Sequence, residues 1–562
     1  MKMERILLVE PNYKNKYPPI GLMKISTYYQ KKGDYVEFHK GLMPETEAKL
    51  FDKVLITTLF TFDFSMCIQT IQYYIAIVGI QKVFVGGIAA TIMPEKFLER
   101  IPDLKLNLGQ LTSSRMLGYD DDENIDIMEL DYDILWDVSY EYAAADSYFI
   151  YTTRGCPRKC SFCAVKTLEP DFYDCDNICD QINNVNKQFG IKKQLLIMDN
   201  NILYSNNFRY TVEILKGLGF GRDNNKIRKN NNMKYYLNSL DRRIRIGKKY
   251  DALLARIKKV FLNLKFARIN KADAEVLKKF IDIINADNEE KLISTLYEEY
   301  DFLNDFFERY NYHMITRYVD FNQGLDARLF GDEKAKQLSE LAVKPCRIAF
   351  DNLNCQNDYI NAMEKAVKYG IRYFSNYLLY NYDEKPESLW ERLNINIQFC
   401  IKHKKISLFS FPMKYASIEQ TDRNYVGKWW NRKYLRAINV ILNVTSGVVA
   451  KEEDFFVRAF GHDEFEFLDI LAMPDDFIRY RDFFEKNGLI QSWKTAYHKL
   501  SDEEKEELIK VLERMVDEPE ILYLQYSDKL SKVLYFYTLS KKKVEGNLLY
   551  YTNFVEKKRN NE

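Results

Sequence analysis

Short apolar runs alternate with longer amphipathic ones through the first 145 residues. Runs at 6–10, 35–40, 54–58 and 82–85 have the length and composition of strands, and 21–32, 65–79 and 94–101 have helical spacing. Such alternation predicts a parallel sheet with helices on both faces, a doubly wound α/β domain over 1–145. Gly86 and Gly87 directly follow a strand, where such a sheet opens its ligand crevice; a tight turn explains a glycine pair there equally well. The acidic stretch 120–133 reads as a linker.

A second alternating series covers 146–413, with candidate strands at 149–153, 194–199, 318–324, 347–351, 373–380 and 405–411. Six strands with helices between them predict a partial (β/α)6 barrel of TIM type, whose chemistry lies at the C-terminal strand ends. Those ends carry Arg154, Asp199-Asn200-Asn201, Asn322-Gln323, Asp351-Asn352, Asn381 and Met413. A helical insertion at about 222–312 interrupts the series. Residues 414–562 form a mostly helical C-terminal domain, where Ser501 and Glu504 make a capping box ahead of Leu508, Val511 and Leu512.

Composition changes this picture little. Hydrophobic residues at 46% and charged residues at 29% fit a folded chain and exclude wholesale disorder. Lys and Arg number 82 and Asp and Glu 81, so a net charge of +1 draws no polyanion to the molecule as a whole. Charges occupy the first ten residues, where a signal peptide needs an apolar run. The longest apolar stretch, 71–80, is far shorter than the roughly 20 residues of a membrane span. A cytoplasmic chain without a membrane partner is expected. Locally the charge is uneven: 222–268 holds 15 Lys and Arg against three Asp. A solvated helical face explains this, and so does a basic arm for nucleic acid. Residues 423–436 interleave Trp and Tyr with cations, as a base-stacking surface or a packed anchor would.

Nine cysteines, an odd number scattered through a long chain, do not read as a disulfide framework. Three are clustered: Tyr151-Thr-Thr-Arg-Gly-Cys156-Pro-Arg-Lys-Cys160-Ser-Phe-Cys163. Thiolates spaced C-x3-C-x2-C on one short loop can each hold a different iron of a cubic cluster, leaving the fourth iron open to an outside ligand. Zinc is the alternative, and it would want a fourth Cys or His nearby. Cys175, Cys179, Cys346 and Cys355 could gather around a second cluster, but four unrelated thiols account for them more simply.

This loop, with Phe162 before its third cysteine, resembles that of the radical S-adenosylmethionine (SAM) enzymes. The resemblance implies that Cys156, Cys160 and Cys163 hold a 4Fe-4S cluster and that SAM chelates the open iron. One electron, from a reducing partner such as flavodoxin or ferredoxin, then yields a 5′-deoxyadenosyl radical that abstracts hydrogen from substrate. It also implies that Phe162 packs by the adenine and that Asp199 and Asn200 sit where the family binds the methionine amino group, although the usual Gly-Gly-Glu is absent. Gln323, Asp326, Arg328 and Asp351 follow at the next strand ends as contacts for SAM or substrate; Asp326 and Arg328 could equally form a structural ion pair. Tyr17-Pro-Pro-Ile-Gly21-Leu22 and Val83-Phe-Val-Gly-Gly87-Ile-Ala-Ala-Thr91 resemble the Rossmann-like cobalamin-binding-type domain that precedes many such barrels. The Asp-x-His-x-x-Gly motif of a cobalamin ligand is missing, and Asp34 and His39 have the wrong spacing, which counts against bound cobalamin.

The expected activity is therefore radical SAM chemistry, with methyl or sulfur-group transfer as possible outcomes. Its substrate is unassigned, and the two basic segments favour a nucleic acid over a small molecule or peptide. A non-catalytic iron–sulfur module with a redox or regulatory role is the reading from another class.

Overall fold

Ile6, Leu7, Leu8 and Val9 are all fully buried, as a central parallel strand covered on both faces requires. They belong to β1 (Arg5–Glu10), which lies with β2 (Tyr35–Lys40), β3 (Lys53–Thr58), β4 (Val83–Gly87) and β5 (Lys105–Asn107) in one sheet. The computed structural model describes residues 3–229, 232–310, 313–449 and 451–546. All neighbouring strands of this sheet are parallel, in the order β2-β1-β3-β4-β5. The order reverses direction between β1 and β3, so the crevice of this doubly wound sheet opens at their C-terminal ends. Leu7, Val54, Ile56, Val83 and Val85 form its core with Ile71, Tyr74 and Phe97. The three-residue β5 is the one strand of the sheet that the sequence pattern did not disclose.

The stretch read as a linker is packed instead. Asp131 and Asp133 are each 2% exposed. Asp131 accepts from Ser26 Oγ at 2.7 Å and Gln30 Nε2 at 2.6 Å, and Asp133 pairs with Arg243 at 3.0 Å. Asp137, just beyond, holds Arg243 at 2.8 Å and Lys248 at 2.9 Å. Carboxylates this deeply buried are tolerable because each has a cation or a donor set against it.

The second series begins with β6 (Ser147–Ile150), β7 (Thr153–Arg154), β8 (Tyr173–Asp174) and β9 (Gln194–Ile197). It continues with β10 (Lys226–Lys229), β11 (His313–Thr316), β12 (Tyr318–Phe321) and β13 (Cys346–Arg347). Strands β12, β9 and β6 make a parallel sheet in that order, and β7 pairs antiparallel with β8. The insertion is helical as expected and leaves and returns through the antiparallel pair β10–β11. Its helices Met233–Arg245, Asp251–Leu262, Lys271–Asn285 and Glu289–Glu298 share a core of their own, including Leu240, Ile257, Phe261, Phe280 and Leu296.

The chain divides into two units. One comprises Met1–Arg347, Lys368–Ile371 and Ala416–Arg423, and the other Ile348–Val367, Arg372–Tyr415 and Asn424–Glu562. In the second, β14 (Tyr373–Tyr380) and β15 (Ser407–Lys414) pair in parallel over eight residues. Helices follow them. The capping box of Ser501 and Glu504 is formed at the start of Asp502–Arg514. Residues 547–562 of the expected C-terminal domain lie outside the described residues. Among the described residues no helix is long and apolar enough to cross a membrane.

Candidate functional site

Strand β7 ends at Arg154, and the chain must turn sharply to release the cysteine loop. Gly155 makes that turn with φ +70°, and a Cβ there would lie 2.0 Å from the Asp171 carbonyl oxygen. No other residue fits. Cys156, Cys160 and Cys163 follow, all half-buried, with the Cys163 N–H donating to the Cys160 carbonyl at 3.1 Å. Asn201 Nδ2 lies 3.6 Å from Cys156 Sγ, a donor facing a sulfur. Among the described residues no three or more His, Cys, Asp or Glu side chains gather to hold one metal ion. A four-iron cluster asks for no such convergence, since each cysteine holds a different iron. Three half-buried sulfurs on one loop, one of them facing an amide N–H, suit that cluster as a donor set.

One carboxylate organises the base of the loop. Glu169 Oε2 accepts from the Gly155 N–H at 2.8 Å and from Asn200 Nδ2 at 2.7 Å, while its Oε1 takes Arg154 Nη1 at 2.6 Å. The Arg154 guanidinium stacks 3.3 Å over the Tyr151 ring and also reaches Asp126. Lys24, on the helix after β1, meets Asp126 at 3.0 Å. Burial alone would raise the Asp126 carboxyl; Lys24 and Arg154 outweigh it and hold the group below the usual carboxylate range. The polar chain Lys24–Asp126–Arg154–Glu169 thus runs from the helix after β1 to the cysteine loop.

Beside it lies a cavity of about 780 Å³. One wall is the C-terminal edge of the first sheet, through residues such as Thr58, Gly87 and Asn107; the other includes Arg154, Glu169, Asn200 and Gln323. Gly87, with φ +101°, would bring a Cβ within 2.4 Å of the Thr58 carbonyl oxygen. The glycine pair therefore lets β3 and β4 close together at the cavity wall. Residues on both sides of the cysteine loop, Tyr151 before it and Val165 and Leu168 after it, also line the space.

Solved structures resemble this chain, among them two of one enzyme. The radical S-adenosylmethionine methyltransferase TsrM from Kitasatospora setae, with cobalamin and a [4Fe-4S] cluster bound, aligns with a TM-score of 0.39 at 13% identity, over 72% of this chain and 73% of that one. The same methyltransferase with tryptophan substrate and the SAM analogue aza-SAM gives 0.39 and 13%, over 71% of each chain. No family model and no curated protein sequence matches the chain.

The expected site residues fall into three groups. Asn200 and Gln323 line the cavity. Phe162 is half-buried on the cysteine loop, and Asp326 pairs with Arg328 at 2.7 Å and with Arg158 of that loop. Asp199 is 4% exposed, and its carboxylate accepts from the Thr152 N–H at 2.7 Å and from the Thr152 hydroxyl. Asp351 belongs to the second unit, where its carbonyl accepts from Arg392 Nη1 at 2.9 Å. Cys346 also belongs to the first unit and Cys355 to the second. Burial pushes the Cys175 thiol up to about 12. Glu169, Lys24 and Asp126 were not anticipated. Asn201 was expected only as one of the polar residues at the strand ends.

Proposed function

We propose that the chain is a radical SAM enzyme in which Cys156, Cys160 and Cys163 hold a 4Fe-4S cluster and SAM takes its open iron. The cysteine loop carries this reading: three half-buried sulfurs emerge at a strand end, and residues flanking the loop line the cavity. When bound, the cluster supplies the electron that cleaves SAM to methionine and a 5′-deoxyadenosyl radical for hydrogen abstraction. The chain's own residues do the rest. Gly155 and Glu169 fix the loop, Asn200 and Gln323 offer amides to a ligand, and walls such as Leu55, Phe60, Leu111 and Met198 exclude water.

We further infer that the group transferred is methyl and that cobalamin occupies the cavity. Asn15, Asn107, Gln110, Asn200, Asn322 and Gln323 place six carboxamides among apolar walls, and a corrin ring has an apolar body with an amide-bearing rim. Among the described residues no histidine lines the space, and His39 lies on β2. A bound cobalamin would therefore take no imidazole ligand from this wall. The substrate is read as a small molecule, of a size the cavity can take; several cations of the two basic segments are spent on packing, while Arg222, Arg245, Arg268 and Arg423 stay exposed. Arg243 and Lys248 are buried against Asp133 and Asp137. Lys433 and Arg436 share Asp475, and Trp430 donates to the Glu384 carbonyl.

Anaerobic reconstitution with iron and sulfide tests the reading. About four irons per chain are expected, with 5′-deoxyadenosine formed from SAM under dithionite, and S-adenosylhomocysteine as well once hydroxocobalamin is added, whose reduced cobalt accepts the methyl group. Cys160→Ala should lose the brown absorbance and both products. A wild-type protein that holds four irons and leaves SAM intact would refute the enzyme assignment. Cobalt content after incubation with hydroxocobalamin reports on the cavity separately.

A further inference from the structure

Asn201 follows the end of β9 and is 4% exposed. Its Nδ2 lies 3.6 Å from Cys156 Sγ and 3.4 Å from Asp326 Oδ2. Both neighbours are acceptors, so the donor end of the amide must face them. The Oδ1 atom is buried and meets no hydrogen-bond partner among the described residues. Asp326 is fixed from its other side, with Arg328 Nε donating to Oδ1 at 2.7 Å and Arg158 Nε donating to Oδ2. Burial would raise the Asp326 carboxyl, but hydrogen bonds from Arg328 and Arg158 hold it below the usual range. Arg158 stands between Cys156 and Cys160, so the carboxylate that orients Asn201 also pins the metal loop.

We infer that Asn201 tunes the cluster, aiming an N–H at the Cys156 sulfur and raising the cluster's reduction potential, with Asp326 and Arg158 holding the amide in place. This rests on the cluster reading above. Reduction places further negative charge on the thiolates, so a fixed donor stabilises the reduced state more than the oxidised one. The burial of the Asn201 amide strengthens the effect, since a donor in a low-dielectric setting interacts more strongly.

An EPR-monitored redox titration of the reconstituted full chain tests the role of Asn201. Wild type is compared with Asn201→Leu, which keeps the branched side-chain shape and removes the donor, and with Asn201→Ala. Iron is counted in each. All three should hold four irons. At the wild-type midpoint the variants should show about a tenfold lower ratio of reduced to oxidised cluster, a downward shift of about 59 mV for a one-electron couple. Unchanged midpoints with intact clusters overturn the role of Asn201 and leave the cluster reading standing. Loss of iron from both variants makes Asn201 structural and overturns the inference too. Wild-type protein that takes up no iron overturns the cluster reading itself.

Discussion

The Asp199 carboxylate accepts two hydrogen bonds from Thr152, yet burial still pushes its pKa up to about 6. An unfolded Asp titrates near about 3.9, so between these values the folded state carries the extra proton. This group's contribution to stability is therefore greatest at low pH, declines as pH rises through that window, and is level above it. The whole change amounts to about 3 kcal/mol. Urea unfolding of wild type and Asp199→Asn from pH 4 to 7 should show a flatter profile in the variant; parallel profiles would contradict the shift. Asn200, its neighbour, was legible because a polar run at a strand end marks a barrel's chemistry, and it does line the cavity. Glu169 was not, because its partners are a backbone N–H and side chains scattered in sequence. No spacing rule announces such a carboxylate.

Strands and helices of the first domain were readable to within one or two residues, since parallel strands buried on both faces are unbroken apolar runs. The short helices Glu45–Ala48 and Ile88–Ile92 were not, nor were two further pieces. Strand β5, Lys-Leu-Asn, is too short for any period to show. The acidic stretch looked like a solvated linker because its cations, Lys24, Arg154 and Arg243, come from three distant elements. Composition records charge but not where the counter-charge will arrive. The turn at Gly155 makes a sharper test of an element. Gly155→Ala sets a Cβ against the Asp171 carbonyl, so the loop must shift. Iron uptake after reconstitution should fall at least severalfold, while far-UV circular dichroism stays unchanged. Full uptake would show that the turn does not govern the loop.

Across the whole chain, 82 cations nearly cancel 81 anions, and local excess decides what the surface attracts. The excess over 222–268 is partly spent inside the protein, where Arg243, Lys248 and Lys229 each face an aspartate. Because the cavity is of small-molecule size, binding to RNA or duplex DNA at physiological salt should be weaker than about 10⁻⁴ M. A salt titration that finds micromolar affinity with a steep slope would restore the nucleic-acid reading. The alternation of strands and helices made the α/β class plain in advance. The division near residue 347 was hidden, because it falls between consecutive strands without any change of composition.

The ionic relay from Lys24 to Glu169 also bears on engineering. Grafting a foreign first sheet onto the second sheet would remove Lys24, strip Asp126 of half its counter-charge and unsettle Arg154, one bond from the glycine that launches the cysteine loop. Transplants ought to carry the helix Ile20–Lys31 and the aspartate strap together, as a single cassette.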